Sequence, residues 1–157
     1  MNKKLISTLI VFMGISGGAY AQNIGKNELQ KLTNLKIYNS VQPGYWVHTT
    51  RYDPESPELK PSKEEGCVSK QELQRMLKPS EIKPSEKGQV IICDVNVKED
   101  SSTKAVARLC EKTFKDSNYT LELQKITNDH YRATAHLANN FKVISDYRRT
   151  GACKAAQ

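Results

Sequence analysis

Four cysteines, Cys67, Cys93, Cys110 and Cys153, are the residues of this chain that could carry chemistry most directly. A thiolate can bind a metal, attack a substrate or be oxidised to a disulfide. The two closest cysteines lie 17 positions apart, so the chain lacks the tight ligand pair that zinc sites contain. An even number of cysteines in a short chain with an export signal is typical of a disulfide framework. We therefore predict two disulfides, no metal site and no cofactor.

These four cysteines allow three pairings. We prefer Cys67–Cys93, which would fix a predicted helix to the sheet, together with Cys110–Cys153, which would hold the end of the last strand. A Cys93–Cys110 bridge remains an alternative, discounted because directly opposed strand residues need special geometry. Each preferred bridge would close a loop and stabilise the domain by roughly 2–4 kcal/mol.

Three histidines, His48, His130 and His136, are the candidates for acid–base chemistry. His130 and His136 fall on one face of a predicted strand but about 20 Å apart, so they cannot share a proton or a metal. His48 would approach either of them only if the sheet closed. The chain has no Gly-x-Ser-x-Gly or His-Glu-x-x-His motif. We predict solvated surface histidines and assign no catalytic residue.

The pair Arg148-Arg149 could grip an anionic group, because guanidinium forks suit carboxylates and phosphates. Consecutive strand residues point to opposite faces, so one of these arginines lies on the covered side and needs a carboxylate there. We predict a structural salt bridge in preference to a ligand clamp. Trp46 poses the same choice, and we interpret it as a core anchor first and a ligand wall second.

The elements that position these residues follow an export signal. Residues 1–4 are Met-Asn-Lys-Lys, residues 5–15 are almost entirely apolar, and Ala19-Tyr20-Ala21 completes a signal-peptide pattern. The apolar stretch is shorter than the roughly 20 residues of a membrane-spanning helix. We predict cleavage between Ala21 and Gln22 and a periplasmic or secreted protein with no transmembrane segment in its mature part. The expected organisation is a signal peptide over 1–21, an N-terminal arm or short helix over 22–42 and one disulfide-stapled β domain over 43–157.

The whole chain is basic, with 24 lysines and arginines against 17 acidic residues and a net charge of +7. Loss of Lys3 and Lys4 with the signal would leave +5. The charges are interleaved, which favours loose attraction to anionic surfaces such as lipid headgroups or cell-wall polymers. Nucleic-acid binding is not expected, because it needs clustered lysines and arginines with a recognisable reading element. An anionic envelope surface and a small ligand remain the possible partners.

Hydropathy patterns predict a mainly β domain. A Pro-Gly turn precedes a strand over 45–52, residues 53–66 form a proline-containing surface loop, and a capping box at Ser69 and Glu72 starts a helix over about 70–78. Polarity then alternates with period two over 89–97, 104–114, 119–126, 130–138 and 141–149. Short breaks favour pairing of these strands in sequence. We expect a curved antiparallel meander of about six strands with one or two short helices and one covered face, and the pattern leaves open whether the sheet closes into a barrel.

Several motifs of this chain occur in one order that resembles a known family. They are Pro43-Gly44-Tyr45-Trp46, a cysteine ahead of the predicted helix at Cys67, the two cysteines in mid-domain at Cys93 and Cys110, and the ending Arg148-Arg149-Thr150-Gly151-Ala152-Cys153. Over about residues 42 to 154 the chain resembles the bacterial exported proteins called domain of unknown function 3617. The resemblance implies a periplasmic or extracellular location and no defined activity. Many members look rich in methionine, but only Met76 survives signal removal here, so a soft-metal site gains no support.

The leading functional hypothesis is a non-enzymatic exported domain that binds a partner or small ligand on or inside the sheet. One alternative is a small hydrolase that acts on an anionic polymer with His48, His130 or His136. The other alternative is a structural protein associated with the cell envelope.

Overall fold

A computed structural model describes residues 26–76, 94–112 and 119–153. These residues form one mainly β unit with helices α1 (Lys26–Thr33) and α2 (Lys70–Met76), two short 3-10 helices (Lys36–Ser40 and Ala138–Asn140), and seven strands, β1 (Gly44–Asp53), β2 (Ser62–Val68), β3 (Val95–Asp100), β4 (Lys104–Leu109), β5 (Tyr119–Thr127), β6 (His130–His136) and β7 (Lys142–Gly151). All strands belong to one antiparallel sheet in the order β2-β1-β7-β6-β5-β4-β3. The predicted fold class is confirmed, with seven described strands where about six were expected. The sheet is open and uncurled, in contrast to the curved sheet that was expected.

Strands β3 to β7 pair in sequence, as the period-two pattern predicted. Residues 89–93 of the first predicted meander strand lie outside the described residues. The first strand of the chain, β1, pairs with the last, β7, over the register from Tyr45↔Gly151 to Asp53↔Lys142. Two strands from opposite ends of the domain therefore pair directly inside the sheet.

Strand β2 corrects the prediction of a loop over 53–66. It pairs only with β1, in the register from Gly44↔Val68 to Thr50↔Ser62, and lies at the edge of the sheet. The three prolines of the predicted loop precede its first residue. Proline excludes a segment from the middle of a sheet but not from an edge. The prolines therefore predicted a boundary correctly, and the charged residues after them concealed the strand.

The predicted capping box starts α2. The Ser69 backbone N–H donates to Glu72 Oε2 at 2.7 Å, and the Glu72 backbone N–H donates to Ser69 Oγ at 3.1 Å. This reciprocal pair satisfies two of the donors that a helix leaves unpaired at its N-terminus. The end predicted for this helix, near residue 78, lies outside the described residues.

The core lies between one face of the sheet and the N-terminal segment. We call this the inner face and the opposite one the outer face. The N-terminal segment contributes Leu32, Leu35 and Ile37. The sheet contributes buried side chains that range in size from alanine to tryptophan, among them Trp46, Leu121, Leu123, Tyr131, Ala133 and Tyr147. Leu73 of α2, the helix that was expected to cover the sheet, belongs to the same core. Among the described residues, the N-terminal segment provides more of this cover than α2 does. The residues before Pro43 are therefore integral to the fold.

Helix α1 also closes the edge of the sheet at β3. Glu28 Oε2 accepts a hydrogen bond from the Val95 backbone N–H at 2.6 Å, and Lys31 Nζ donates to the Val95 carbonyl oxygen at 3.3 Å. Just after the helix, the Lys36 backbone N–H donates to Asp100 Oδ1 at 2.7 Å. The side chains of Glu28 and Lys31 thus form hydrogen bonds with backbone groups of the edge strand that could otherwise pair with another strand.

One disulfide joins described residues, Cys67 to Cys153, with their Cα atoms 5.5 Å apart. The preferred pairing of Cys67 with Cys93 and of Cys110 with Cys153 is therefore wrong. Tyr45 of β1 lies opposite Cys67 on β2 and opposite Gly151 on β7, so the unpredicted strand β2 brings Cys67 beside the C-terminal end. Cys110 is buried and is itself disulfide-bonded, and Cys93 lies outside the described residues.

Candidate functional site

The outer face of the sheet carries the polar side chains that could meet a partner. Across the strands, the register places Thr49, Asp146, Arg132, Gln124 and Lys104 in one row on this face. The helices that bury residues in the described parts of the chain, α1, α2 and the 3-10 helix at Lys36–Ser40, pack into the core on the inner side. The outer face is consequently open over the described residues. The predicted arrangement of one covered and one wet face is found.

Basic residues exceed acidic ones on this outer face. By register, the basic residues are Arg51, Lys63, Lys104, Arg108, Arg132, Lys142 and Arg148, and the acidic residues are Asp53, Glu65, Glu99, Glu122 and Asp146. Each of these acidic residues lies within 4 Å of a basic one on the same face. In contrast, Arg51 and Arg148 are exposed and form no ion pair within the described residues. The positive excess is therefore concentrated on β1 and β7.

Four of these side chains form a compact group that we call the β6–β7 cluster: His130, Arg132, Asp146 and Arg148. His130 lies directly opposite Arg148, and Arg132 lies directly opposite Asp146. His130 Nε2 donates to Asp146 Oδ1 at 2.7 Å, and Arg132 Nε donates to the same oxygen at 2.9 Å. One carboxylate thus orients two basic side chains.

Asp146 and His130 are the two most enclosed members of the β6–β7 cluster. The exposed fraction of the side chain is 13% for Asp146 and 12% for His130. Burial alone would raise the pKa of Asp146, but the hydrogen bonds and positive charges of His130 and Arg132 lower it below its ordinary value. The carboxylate is therefore ionised at neutral pH and accepts both bonds. Arg132 keeps its terminal guanidinium nitrogens for another anion, with 36% of its side chain exposed.

The other two histidines lie apart from this cluster. His136 is on the same outer face as His130, as the alternation along β6 predicted. Its Nε2 lies 3.5 Å from Glu122 Oε2. His48 lies on the inner face, only 4% exposed, so the prediction that it is solvated is wrong. Because the thickness of the sheet separates His48 from His130 and His136, the three histidines do not converge on one site.

His48 belongs instead to a buried polar chain. Its Nε2 lies 3.0 Å from Thr50 Oγ1, which lies 3.0 Å from Ser145 Oγ, and its ring stacks on Tyr147 with centroids 4.5 Å apart. Burial lowers the pKa of His48, against an opposing effect of the negative charge of Glu64. Ser145 is fully buried, so a substrate could not reach its hydroxyl. This chain of hydroxyls and imidazole satisfies buried polar groups. Its position two residues after Trp46, on the same face of β1 as that predicted core anchor, is the sequence signal that could have indicated its burial.

The motif residues meet at one corner of the sheet. Arg149 Nε donates to the Pro43 carbonyl oxygen at 2.8 Å, and its Nη1 lies 3.0 Å from Asp129 Oδ1, which is the predicted structural salt bridge. Gly44 has φ of 155°, and a Cβ there would lie 2.5 Å from Arg149 Nε and from the Gly151 carbonyl oxygen. The glycine is therefore required by the close approach of the arginine.

Trp46, at the same corner, is a core anchor. Its indole N–H donates to the Gln42 carbonyl oxygen at 3.1 Å, and the residue is 2% exposed. Its ring lies 6.0 Å from that of Tyr131. These contacts give Trp46 and the Pro43–Gly44 turn a structural role, while Arg148, the neighbour of Arg149, points to the outer face.

A cavity of about 40 Å³ lies between the 3-10 helix at Lys36–Ser40 and the inner face. Its lining is almost entirely apolar and includes Ile37, Val41, Trp46, Tyr131 and Tyr147. Pockets that hold small organic ligands are typically about 300–1,000 Å³. This space is too small for such a ligand, so the outer face is the better candidate site.

No family model, no curated protein and no solved structure matches this chain. Across the described residues, no helix has both the length and the apolar character that crossing a membrane requires. In the same residues, no group of three or more histidine, cysteine, aspartate or glutamate side chains could hold a metal ion.

Proposed function

We propose that this chain is an exported, non-enzymatic binding domain whose outer sheet face binds an anionic phospholipid surface. The observation that carries the proposal is the open outer face, on which Arg51 and Arg148 remain exposed without an ion pair among the described residues. An exposed arginine near an anionic membrane contributes about 1 kcal/mol to binding. Two such residues on adjacent strands act together on one surface.

The shape of the sheet favours a broad partner. Seven strands spaced about 4.8 Å apart make a face roughly 30 Å wide. A face of this width can present several basic side chains at once to a layer of headgroups. The small apolar cavity, in comparison, supports no small-ligand role.

Export and family membership are part of the same proposal. The signal pattern over residues 1–21, outside the described residues, supports cleavage after Ala21 and a periplasmic or secreted location. Membership of the family called domain of unknown function 3617 is supported by the way its motifs meet in space, with Arg149 bonded to Pro43 above Gly44. Because these motif residues are distant in sequence and contact one another in the fold, we expect proteins with the same fold to contain them together.

Sedimentation with lipid vesicles tests the proposal on mature protein purified from its exported fraction. We expect binding to vesicles that contain phosphatidylglycerol, little binding to phosphatidylcholine alone, and weaker binding at high salt. The double substitution Arg51→Gln/Arg148→Gln should weaken binding on the order of tenfold or more.

The matched control is Lys36→Gln/Lys60→Gln, which removes the same charge from exposed residues outside the outer face. It should retain most of the affinity. Equal binding to both kinds of vesicle, or equal losses in the two double variants, would show that the outer face is not the docking surface. Recovery of the protein with cell-wall material in place of membranes would favour a structural envelope role.

A further inference from the structure

We infer that the β6–β7 cluster holds the phosphate group of a lipid headgroup, with Arg132 and Arg148 as its ligands. This inference rests on the proposed function and adds the chemical group and the point of contact. It follows from the geometry of the cluster, from its charge and from the contrast between its two arginines.

The register of β6 and β7 makes the cluster compact. Directly opposed residues in antiparallel strands have Cβ atoms about 5 Å apart, and residues two apart on one strand are about 7 Å apart. His130, Arg132, Asp146 and Arg148 therefore stand at the corners of a small rectangle. Three corners are basic and one is acidic.

Asp146 prepares Arg132 for a ligand. Because the Arg132 Nε–H is bonded to Asp146 Oδ1 at 2.9 Å, the plane of the guanidinium is held while its terminal nitrogens remain available. A guanidinium fixed in this way loses less conformational freedom when it binds an anion. His130 holds the same carboxylate oxygen from the other side at 2.7 Å, which keeps Asp146 in place.

Arg148 shows that the cluster is more than a structural ion network. Its side chain is exposed and makes no ion pair with a described residue, although it lies in register with His130. Glu65, the acidic residue in its row two strands away, is engaged by Lys63 at 3.2 Å. A second guanidinium therefore faces solvent beside the oriented one.

The charge and shape of the cluster fit a phosphate. Two guanidinium groups and one carboxylate leave a net charge of +1 before any contribution from His130. The two carboxylate oxygens lie in one plane, whereas the two non-bridging and two ester oxygens of a phosphodiester are arranged tetrahedrally, so a phosphodiester can accept from two guanidinium groups that approach from different strands and different directions. The cluster thus selects a phosphate over a carboxylate.

An exchange that preserves charge separates this site from general attraction. Arg148→Lys keeps the charge but removes the fork, so it should lower affinity for phosphatidylglycerol vesicles on the order of tenfold. Arg108→Lys makes the same exchange at an exposed arginine of the outer face outside the cluster, which pairs with Glu111 at 3.0 Å, and should leave affinity unchanged. Thermal unfolding of both variants should match that of the unsubstituted protein, because Arg148 has no ion-pair partner in the described residues and a lysine at position 108 can still pair with Glu111.

Side-chain NMR of the arginine Nε–H groups identifies the bound group and its source. Glycerophosphoglycerol, a soluble phosphodiester headgroup, should shift the signals of Arg132 and Arg148, and acetate at the same concentration should not. Inorganic phosphate as the better ligand in solution, without vesicle binding, would mean that the site takes free phosphate; it would overturn the proposed function while supporting a phosphate site. Vesicle binding that neither lysine variant alters would overturn this inference and leave the proposed function intact.

Discussion

At the residue scale, Asp146 determines the character of the outer face. It turns two basic side chains into an oriented pair and leaves a third, Arg148, unengaged on the same strand. The alternation of polar residues predicted correctly that His130 and His136 share one face. It could not predict the bonds to Asp146, because those depend on which residue of β7 lies opposite Arg132. The prediction for His48 was wrong because alternation along β1 places His48 on the same face as the core anchor Trp46.

Replacement of Asp146 by asparagine should alter the acid stability of the protein. The folded-state pKa of Asp146 lies below its ordinary value of 3.8, so its stabilising contribution is complete above that value and is lost as pH falls through the folded-state pKa. Asp146→Asn should destabilise the protein by about 1–2 kcal/mol at neutral pH. The difference from the unsubstituted protein should shrink below about pH 4.

Urea unfolding followed across this pH range gives the measurement. Asp53→Asn is the control, because it removes an exposed carboxylate from the same face, 3.5 Å from Lys142. Such surface pairs contribute about 0–1 kcal/mol. A difference between Asp146→Asn and the unsubstituted protein that stays constant at every pH would contradict the argument.

At the scale of secondary-structure elements, a strand is defined both by its own sequence and by the neighbours with which it pairs. The meander could be predicted because its strands alternate in polarity and are separated by short turns. Strand β2 could not, since Lys63 and Glu65 alternate with nothing apolar until Val68. Strand β3 is an edge strand that α1 covers through Glu28 and Lys31, a long-range contact that no local pattern predicts.

Glu28 should prove necessary for the protection of β3. Burial would raise the pKa of Glu28, but its bonds to Lys31 and to the Val95 backbone lower it, so the acceptor is an ionised carboxylate. Glu28→Ala leaves the Val95 N–H without this acceptor and should destabilise the protein by about 1–3 kcal/mol. Hydrogen exchange should show faster exchange of the Val95 amide, whereas Glu28→Gln, which retains an oxygen acceptor, should lose less. Unchanged protection of Val95 in Glu28→Ala would refute this role.

At the scale of the whole molecule, the fold depends on contacts between its ends. Strand β1 pairs with β7, and the Cys67–Cys153 bridge spans 86 positions of sequence. The presence of disulfides was predictable from the even number of cysteines and the signal-peptide pattern over residues 1–21. The pairing was not, because it follows from an edge strand that its charged residues concealed and from the pairing of β1 with β7, which are distant in sequence.

The bridge should contribute strongly to global stability. Closing a loop of this length restricts the unfolded chain and is expected to stabilise the folded state by about 2–5 kcal/mol. The double substitution Cys67→Ser/Cys153→Ser should lower the free energy of unfolding by that amount, and therefore also the thermal midpoint. It should first expose β2, which has one strand partner among the described residues. Both cysteines are replaced together so that no unpaired thiol can exchange. An unchanged midpoint in this variant would mean that the β1–β7 pairing suffices alone.

The position of β1 between β2 and β7 has a consequence for biogenesis. While the chain is synthesised from its N-terminal end, β1 can pair only with β2 among the described strands until the final strand emerges. The hydrogen-bonding edge meant for β7 stays vacant, and pairings between distant segments form slowly. The topology thus postpones completion of the sheet until synthesis is nearly complete, and the Cys67–Cys153 bond can form only once the last strand and Cys153 have been made.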